Sequence, residues 1–508
     1  MAEPGYTRLV DSPNHLSRRG LLLAGAAAAA ASPARSLPGD EICGAKAVDL
    51  ARLLRKKKLS AREVLDACLA RIEAVNPKVN AVVTLVADQA RKKAAELDEQ
   101  AARGRFAGPL HGLPIAHKDL QDTAGIRTTY GSPLFRDYVP TRNTLLIDRI
   151  QQAGAVTIGK TNVPEFGAGS QTFNPVFGAA HNPYDLSKTT GGSSGGAAAA
   201  LACGMIPLAD GSDTGGSLRN PAAFCGVVGF RTSPGRSPRV PTGTAWNTLS
   251  VVGPMGRSAE DVGLMLSAIA GPDLRIPLSI QEPGEQFAKP LDRDFRNVRV
   301  AWCAGLLGLP FDKRVRAVFD KQRAVLESLG CRVTDAEPDL TGADEVFKVF
   351  RAMGFYQQHA AKAAEHRDQI KATVLEEVDR GAKLTGPQIT RAEGLRSKLH
   401  ERVGDFLKDY EYFVLPTTQV PAFSTEQEWV KEIDGRQFES YIDWMRSCYY
   451  VTVTALPAIS VPAGLTPEGL PVGFQIVGRV QADFSVLQLA HAFEQARGPL
   501  PAPAVLGT

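Results

Sequence analysis

The sequence predicts an α/β protein. Between residues 113 and 240, short apolar runs at 113–116, 155–158 and 226–230 alternate with glycine-rich loops and helical segments. Such alternation favours strands and helices layered around one core. A further strand, helix and strand pattern follows over 297–333. A content of 44% hydrophobic and 22% charged residues is typical of a globular chain and excludes disorder as the main state.

The elements outside this region are predicted from periodicity and capping residues. Apolar residues recur at helical spacing over 47–58. Ser60 with Glu63 then forms a capping box, which begins a helix that we expect to end at Asn76-Pro77. The other expected elements are a strand over 80–85, helices over 87–102, 315–329 and 484–495, and strand-and-turn structure over 451–478.

The chain is expected to consist of a leader over residues 1–34 and a single domain over 35–508. In the leader, Arg18-Arg19 precedes twelve apolar or small residues, Gly20–Ala31, which are fewer than the ~20 that span a bilayer. Paired arginines before a weakly apolar stretch are typical of the twin-arginine signal, so we expect export to a bacterial periplasm. An uncleaved alanine-rich tail is the alternative. A charged helical insertion is expected at about 340–445.

Charge and metal-ligand patterns exclude several functions. The 58 basic and 54 acidic residues give a net charge of +4, with no basic stripe of the kind that nucleic-acid binding requires. Seven dispersed cysteines form no CxxC pair, and the eight histidines are equally scattered. We therefore expect no metal, no cofactor, no nucleic-acid partner and no stable membrane insertion.

One glycine-rich segment, Gly154–Thr161, satisfies the P-loop pattern G-x-x-x-x-G-K-[ST] letter for letter. A P-loop follows a strand and begins a helix, so that its amides surround phosphate. Here a helical pattern precedes the segment, residues 155–158 are themselves a strand candidate, and Pro164 follows closely. We therefore do not expect phosphate binding.

A second segment, Gly191–Gly195, matches G-x-S-x-G, the nucleophile elbow of α/β-hydrolases, with Ser193 as the nucleophile. The elbow requires an apolar strand directly before it, and residues 185–190 are polar. A flexible glycine–serine turn would be the default interpretation if this segment stood alone. An esterase with Ser193 as nucleophile is the alternative enzyme hypothesis.

Two more segments change that interpretation. Residues 211–230 form another glycine-rich turn that presents Ser217, and residues 112–119 place Lys118 at the end of an apolar run. Together with Gly191–Gly195, these segments resemble the amidase signature family of serine hydrolases. Three further segments fit that family as well: residues 159–165, 182–183 and 469–478. The resemblance covers nearly the whole chain after the leader.

The resemblance implies a large twisted mixed β-sheet flanked by helices, and a Ser-Ser-Lys catalytic group. Position by position, Ser217 is then the nucleophile, Ser193 the bridging serine and Lys118 the base. Relatives carry a cis peptide bond before the bridging serine, here Gly192–Ser193. The chemistry is consistent, because a serine hydroxyl needs a base and lysine can serve only when burial keeps it neutral.

The resemblance also implies supporting residues. The amides of four consecutive residues are expected to form the oxyanion hole: Thr214, Gly215, Gly216 and Ser217. Asp213 and Arg219 correspond to a buried pair that braces this turn, with a surface ion pair as the alternative, and Ser194 supports the network. One loop is expected to face the substrate through its backbone: Gly167, Gly169 and Ser170.

The family resemblance assigns no role to four further residues, and each of them has a structural and a functional interpretation. His117 should point away from Lys118 on a strand, so we expect it to contribute packing rather than pH tuning. Three aromatic residues are expected either to line an acyl pocket or to belong to the core: Tyr441, Trp444 and Tyr449.

We therefore expect an exported amidase that hydrolyses small carboxylic amides to acid and amine or ammonia. Carbamate, cyclic-amide and peptide-amide hydrolysis are alternatives within the family. The ammonia-producing component of a tRNA-dependent amidotransferase shares these motifs, but the export signal argues against it. A binding protein without catalysis would require loss of the triad, whose three positions are present. The expected partners are a small amide and water, and a homodimer is the assembly considered.

Overall fold

The computed structural model describes residues 38–241 and 243–507. These residues belong to one compact unit, Leu37–Thr508. The twin-arginine leader over residues 1–34 lies outside the described residues, so that hypothesis stays a prediction.

The helices of the described chain, in order, are α1 Gly39–Gly44, α2 Ala47–Arg55, α3 Ala61–Val79, α4 Ala87–Ala102, α5 Leu145–Gln152, α6 Gly195–Ala202, α7 Arg219–Cys225, α8 Ala259–Ile269, α9 Lys313–Asp320, α10 Arg323–Ser328, α11 Ala343–Glu365, α12 Ala372–Ala382, α13 Gly386–Asp409, α14 Arg446–Val453 and α15 Asp483–Arg497. None of these helices is both long enough and apolar enough to cross a membrane.

The strands of the same residues are β1 Val82–Leu85, β2 Pro114–Lys118, β3 Val156–Thr161, β4 Phe173–Asn174, β5 Gly178–Ala179, β6 His181–Asn182, β7 Asp185–Thr189, β8 Leu208–Asp213, β9 Val228–Arg231, β10 Val251–Gly256, β11 Arg299–Trp302, β12 Arg332–Asp335, β13 Tyr412–Pro416, β14 Glu432–Ile433, β15 Arg436–Gln437, β16 Ala458–Leu465 and β17 Pro471–Gly478.

Eleven of these described strands form one sheet in the order β1-β3-β2-β8-β10-β9-β16-β17-β13-β11-β12. Strand β2 runs parallel to β3 and β8, and β11 runs parallel to β12 and β13. The other neighbours in the sheet are antiparallel. The predicted α/β class, with a mixed sheet and flanking helices, is confirmed.

The buried helix α6 packs against the sheet next to the two glycine-rich turns. Its sequence is apolar on every side, and a helix of that kind is stable only inside a core. A Cβ on Gly196 would lie 2.3 Å from the backbone N of Asn162, so glycine is needed for this close approach. The helix begins directly after Ser194 and thereby fixes the turn before it.

Among the differences between predicted and observed elements, three have a clear local cause or change the element. Helix α3 continues through Pro77 to Val79, because Asn80 ends it in the left-handed conformation and the Asn76 side chain accepts the amides of Ala81 and Val82. The predicted helix over 315–329 is divided into α9 and α10. Residues 451–453, expected to begin strand structure, belong to the buried helix α14, where tertiary packing overrides β-propensity.

The helical segment predicted as an insertion comprises α11, α12 and α13 and ends at Asp409. The following strand, β13, pairs with β11 and β17 inside the main sheet, so residues 412–416 belong to the core rather than to an insertion. The helical part is therefore shorter than the predicted range of about 340–445.

The P-loop pattern lies on strand β3 and not on a loop. Residues 156–161 pair with β1 and β2, and the buried Lys160 donates to the carbonyl oxygen of Gln121 and to Thr123 Oγ1. A Cβ on Gly159 would lie 1.9 Å from the carbonyl oxygen of Thr84. The glycine is thus explained by strand packing.

We expect Gly159→Ala to lower the free energy of unfolding by about 3 kcal/mol, because the added methyl group must displace strand β1. The matched control is Gly404→Ala on the exposed face of α13, where an added Cβ has no neighbour within 4 Å. That variant should be unchanged or up to about 1 kcal/mol more stable. Equal unfolding curves for the two variants in urea would show that the close approach of β1 and β3 is not required.

Candidate active site

Lys118 lies at the carboxyl end of β2, fully buried between β3 and β8. Its Nζ lies within hydrogen-bond distance of three hydroxyl oxygens: Ser193 Oγ at 2.8 Å, Ser194 Oγ at 2.7 Å and Ser212 Oγ at 3.0 Å. Three hydroxyl groups therefore surround Nζ, and no carboxylate in the described residues lies within 4.0 Å of it. Ser212 was not identified from the sequence, although it lies on β8 directly before Asp213.

The environment of Lys118 favours its neutral form. Burial lowers the pKa of Lys118 to about 7, and the positive charge of Arg239 lowers it as well, whereas the Asp213 and Asp210 carboxylates oppose the change. Since an exposed lysine titrates near 10.4, a large fraction of Lys118 is an uncharged amine at neutral pH. A neutral amine can accept a proton.

The turn that presents Ser193 is held from both sides. Its peptide bond Gly192–Ser193 is cis, and Thr172 Oγ1 donates to the carbonyl oxygen of Gly191 at 2.8 Å. The amide of Ser194 donates to the carbonyl oxygen of Ser217 at 3.2 Å. This bond joins the two glycine-rich turns, so the structure brings Lys118, Ser193 and Ser217 together.

The elbow hypothesis for Ser193 finds little support in this geometry. The strand before the turn, β7, pairs with β6 and lies outside the main sheet. The hydroxyl of Ser193 contacts Lys118 rather than a histidine. His117 does not line the cavity. Its ring is buried and contacts Asp210 Oδ1 at 2.6 Å and Thr157 Oγ1 at 3.0 Å, so it is held by hydrogen bonds and not by packing alone.

Ser217 is partly exposed to a cavity of about 260 Å³ that Ser193 and Ser212 also line. The Ser217 hydroxyl makes no hydrogen bond within the part of the chain that the structure describes. It is therefore free to meet a molecule in the cavity.

Three backbone amides of the 213–218 turn point to no partner among the described residues: Thr214, Gly215 and Ser217. The same three residues line the cavity. The amide of Gly216 differs, since it donates to Asp213 Oδ1 at 3.0 Å and Gly216 is not part of the cavity wall. The expectation that Gly216 serves the oxyanion hole is therefore not supported, because the carboxylate already holds its N–H.

Asp213 is a buried carboxylate at the centre of this turn. Its oxygens accept from Arg219 Nε at 3.0 Å and Nη2 at 2.9 Å, and from the amide of Leu218 at 3.2 Å. Arg231 adds a bond to the Asp213 carbonyl oxygen at 2.7 Å. Burial alone would raise the pKa of Asp213, but Arg219 and Arg231 hold that pKa well below its usual range. Asp213 and Arg219 form a buried pair rather than a surface one.

The loop over 167–170 meets the cavity only in part. Gly167 and Gly169 line the cavity, and a Cβ on Gly167 would lie 3.4 Å from Ser193 Oγ. Ser170 is buried behind the wall, where its hydroxyl accepts from Trp444 Nε1 at 3.2 Å. Trp444 itself stacks on Phe224 in the core, whereas Tyr441 lines the cavity.

Much of the cavity wall comes from residues that sequence reasoning did not identify. Helix α11 supplies aromatic and polar side chains: Phe347, Phe350, Arg351, Phe355, Gln358 and His359. The segment after β9 supplies Arg239 and Asn247. None of these residues belongs to a motif, and they lie more than twenty residues from Ser217 along the chain, so only the fold brings them to the site.

No group of three or more His, Cys, Asp or Glu side chains in residues 38–241 and 243–507 is arranged to hold a metal ion. The site consists of one amine, four hydroxyl groups and three free backbone amides. This set can deprotonate a hydroxyl, hold an oxyanion and return a proton.

Comparisons of the sequence and of the structure with known proteins lead to the same group of relatives. A family model described as Amidase matches residues 63–487. An acylamidase of Rhodococcus erythropolis is 36% identical over 454 residues, which cover 89% of this chain and 95% of the relative. A glutamyl-tRNA(Gln) amidotransferase subunit of Geobacillus kaustophilus is 36% identical over 473 residues, with 88% and 96% covered. The crystal structure of a bacterial aryl acylamidase of the amidase signature family matches with a TM-score of 0.84 at 28% identity, covering 89% of this chain and 96% of that chain.

We expect Asp213→Asn to lower the free energy of unfolding by about 3–5 kcal/mol, because it leaves two buried guanidinium groups without a counter-charge. The control is Asp294→Asn, which removes an exposed ion pair with Arg296 and should change stability by less than about 1 kcal/mol. Urea unfolding measures both. A loss for Asp213→Asn as small as that of the control would contradict the bracing role.

Proposed function

The chain belongs to the amidase signature family and is an amide-hydrolysing enzyme, and we propose that it cleaves a small carboxylic amide through an acyl-enzyme on Ser217. Ser193 and Lys118 carry the proton in this proposal. The observation that carries it is the buried Lys118 amine, 2.8 Å from Ser193 Oγ, beside a cavity that presents the Ser217 hydroxyl.

In the first step, Ser217 Oγ attacks the amide carbonyl carbon. Its proton passes to Ser193, whose own hydroxyl proton passes to Lys118 Nζ. The neutral amine is the acceptor in this relay, and the lowered pKa of Lys118 supports that role. Ser194 and Ser212 accept hydrogen bonds from the same amine and hold it in place.

The negative charge that develops on the carbonyl oxygen requires donors. The amides of Thr214, Gly215 and Ser217 are free in the described chain and line the cavity, so we assign the oxyanion hole to them. Preformed amide donors at such a site are each worth about 3 kcal/mol of transition-state stabilisation. Asp213 sets the direction of these amides through its bonds to Gly216 and Leu218.

Collapse of the tetrahedral intermediate breaks the carbon–nitrogen bond. The proton on Lys118 returns through Ser193 to the leaving nitrogen, which departs as amine or ammonia. Water then attacks the Ser217 ester by the same relay and releases the acid. Each proton taken up in a step is returned within that half-reaction.

The size and lining of the cavity support a small substrate. A volume of about 260 Å³ lies below the usual range for drug-sized ligands and suits a small acyl group. Phenylalanine side chains from α11 line it, which is compatible with an aryl or alkyl group. Carbamate, cyclic-amide and peptide-amide hydrolysis use the same relay and differ only in the acyl and leaving groups.

The relationship to the amidotransferase component is as strong in identity as the relationship to the acylamidase. We favour a stand-alone amidase because Arg18-Arg19 and the alanine-rich stretch after them are typical of an exported chain. Export remains part of the proposal.

We expect Ser217→Ala to lower kcat for a small amide by about 10⁴-fold or more, because the nucleophile is lost. Ser328→Ala, an exposed serine of α10, is the control and should retain wild-type activity. Initial rates of amine or ammonia release measure both variants. Full activity in Ser217→Ala with loss of activity in Ser193→Ala would favour the elbow hypothesis instead.

We expect kcat/KM to rise with pH and to reach half its maximum near pH 7, because protonated Lys118 cannot accept a proton. The rate should rise rather than fall with pH, because the neutral amine that burial stabilises is the active form and dominates above the pKa of Lys118. Lys118→Arg keeps a cation that never deprotonates near neutrality, so it should be inactive at every pH tested. A rate that is flat between about pH 5.5 and 8.5 would exclude Lys118 as the base.

A further inference from the structure

Arg239 lines the cavity on the segment between β9 and β10. Its guanidinium donates from Nη1 to Ser250 Oγ at 3.1 Å. No carboxylate within residues 38–241 and 243–507 lies within 4.0 Å of that guanidinium. Most of its donors therefore have no acceptor among the described side chains.

The other charged side chains of the cavity wall have partners. Arg351 contacts Glu377 Oε1 at 2.6 Å and also donates to Tyr441 Oη. Asp122 accepts the Tyr130 hydroxyl. Arg239 is thus the cation of this wall that lacks an ion pair among the described residues.

An unpaired guanidinium in a partly buried wall is unfavourable, since water solvates it only in part. Burial lowers the pKa of Arg239, yet an arginine stays protonated at neutral pH. Its positive charge also acts on Lys118, which places the two groups within electrostatic range. A bound anion would supply the missing counter-charge.

We propose that Arg239 binds a carboxylate group of the substrate, so that the enzyme prefers amides which carry an acidic group. The inference rests on the proposed function for the identity of the scissile bond. The planar guanidinium can donate two parallel hydrogen bonds to a carboxylate, a geometry that an ammonium group cannot match. Because Arg239 and Ser217 line one small cavity, the acid and the amide belong to one compact molecule.

The test compares amides that differ only in charge. Succinamate is paired with 4-oxopentanamide, and N-acetyl-β-alanine is paired with N-(3-oxobutyl)acetamide, so that a methyl ketone replaces the carboxylate on the acyl side or on the amine side. In at least one pair we expect the wild-type kcat/KM to be about tenfold or more higher for the acid. The preference should disappear in Arg239→Gln and survive in part in Arg239→Lys.

Arg142→Gln is the matched control, because it removes the same charge from an exposed position outside the cavity. It should retain the wild-type ratio within each pair. Thermal unfolding followed by circular dichroism confirms that the variants are folded. Equal rates for acid and ketone in both pairs, or an undiminished preference in Arg239→Gln, would overturn the proposal.

A binding measurement separates this proposal from the proposed function. In the Ser217→Ala background, calorimetric titration should show succinamate or N-acetyl-β-alanine binding at least tenfold more tightly than its ketone analogue. Addition of Arg239→Gln should remove the difference. If the wild-type enzyme hydrolyses none of the four compounds, the amide proposal fails for them while this titration still decides the role of Arg239. If the acid and the ketone of each pair bind equally well, the proposed role of Arg239 is overturned.

Discussion

The site depends on one electrostatic constraint, the burial of the Lys118 amine among hydroxyl groups with no carboxylate of the described chain in direct contact. A change in its pKa from 10.5 to about 7 corresponds to about 5 kcal/mol of lost preference for the charged form. Strand β2 achieves this because it lies between β3 and β8 in the sheet interior. The hydroxyls of Ser193, Ser194 and Ser212 satisfy the amine without fixing its charge, as a carboxylate would. An amine held in this way can take and return a proton.

A second constraint shapes the turn that follows β8. Asp213 is surrounded by Arg219, Arg231 and two backbone amides, so its charge is compensated inside the core. Because these bonds fix the backbone from Asp213 to Leu218, neighbouring amides are left free at the cavity. The Asp213–Arg219 pair is fully buried and outside the cavity wall, whereas Ser217 of the same turn lines the cavity.

The central residues of the site could be predicted from the sequence, but the residues of the cavity wall could not. Lys118, Ser193 and Ser217 could be identified because the three segments that carry them together resemble the amidase signature family. Ser212 was missed since a serine on a strand has no distinctive context. The hydrogen bond from the Gly216 amide to Asp213 could not be predicted either, because it depends on the three-dimensional path of the turn. The α/β class followed from the alternation of apolar runs and loops, whereas the mixed sheet was implied by the family resemblance.

The cavity wall could not be predicted because it is assembled over long sequence distances. Phe347 and Arg351 reach the site from a helix more than 120 residues after Ser217, and nothing in their local pattern distinguishes them from core residues. Helix ends could not be predicted accurately either. Helix α3 continues through Pro77 because Asn76 and Asn80 terminate it through contacts that the sequence pattern does not show. Motifs therefore indicated the chemistry, while much of the cavity wall consists of residues that belong to no motif.

The role of Lys118 and Ser217 is tested most directly by finding which serine is modified covalently and how fast the modification forms. A fluorophosphonate is added, and the tryptic peptide over 189–219, which contains Ser193, Ser194 and Ser217, is fragmented in a mass spectrometer. We predict that the label is found on Ser217 and that it forms about 100-fold or more slowly in Lys118→Met, because the base is absent. A label on Ser193, or an equal rate in Lys118→Met, would contradict it.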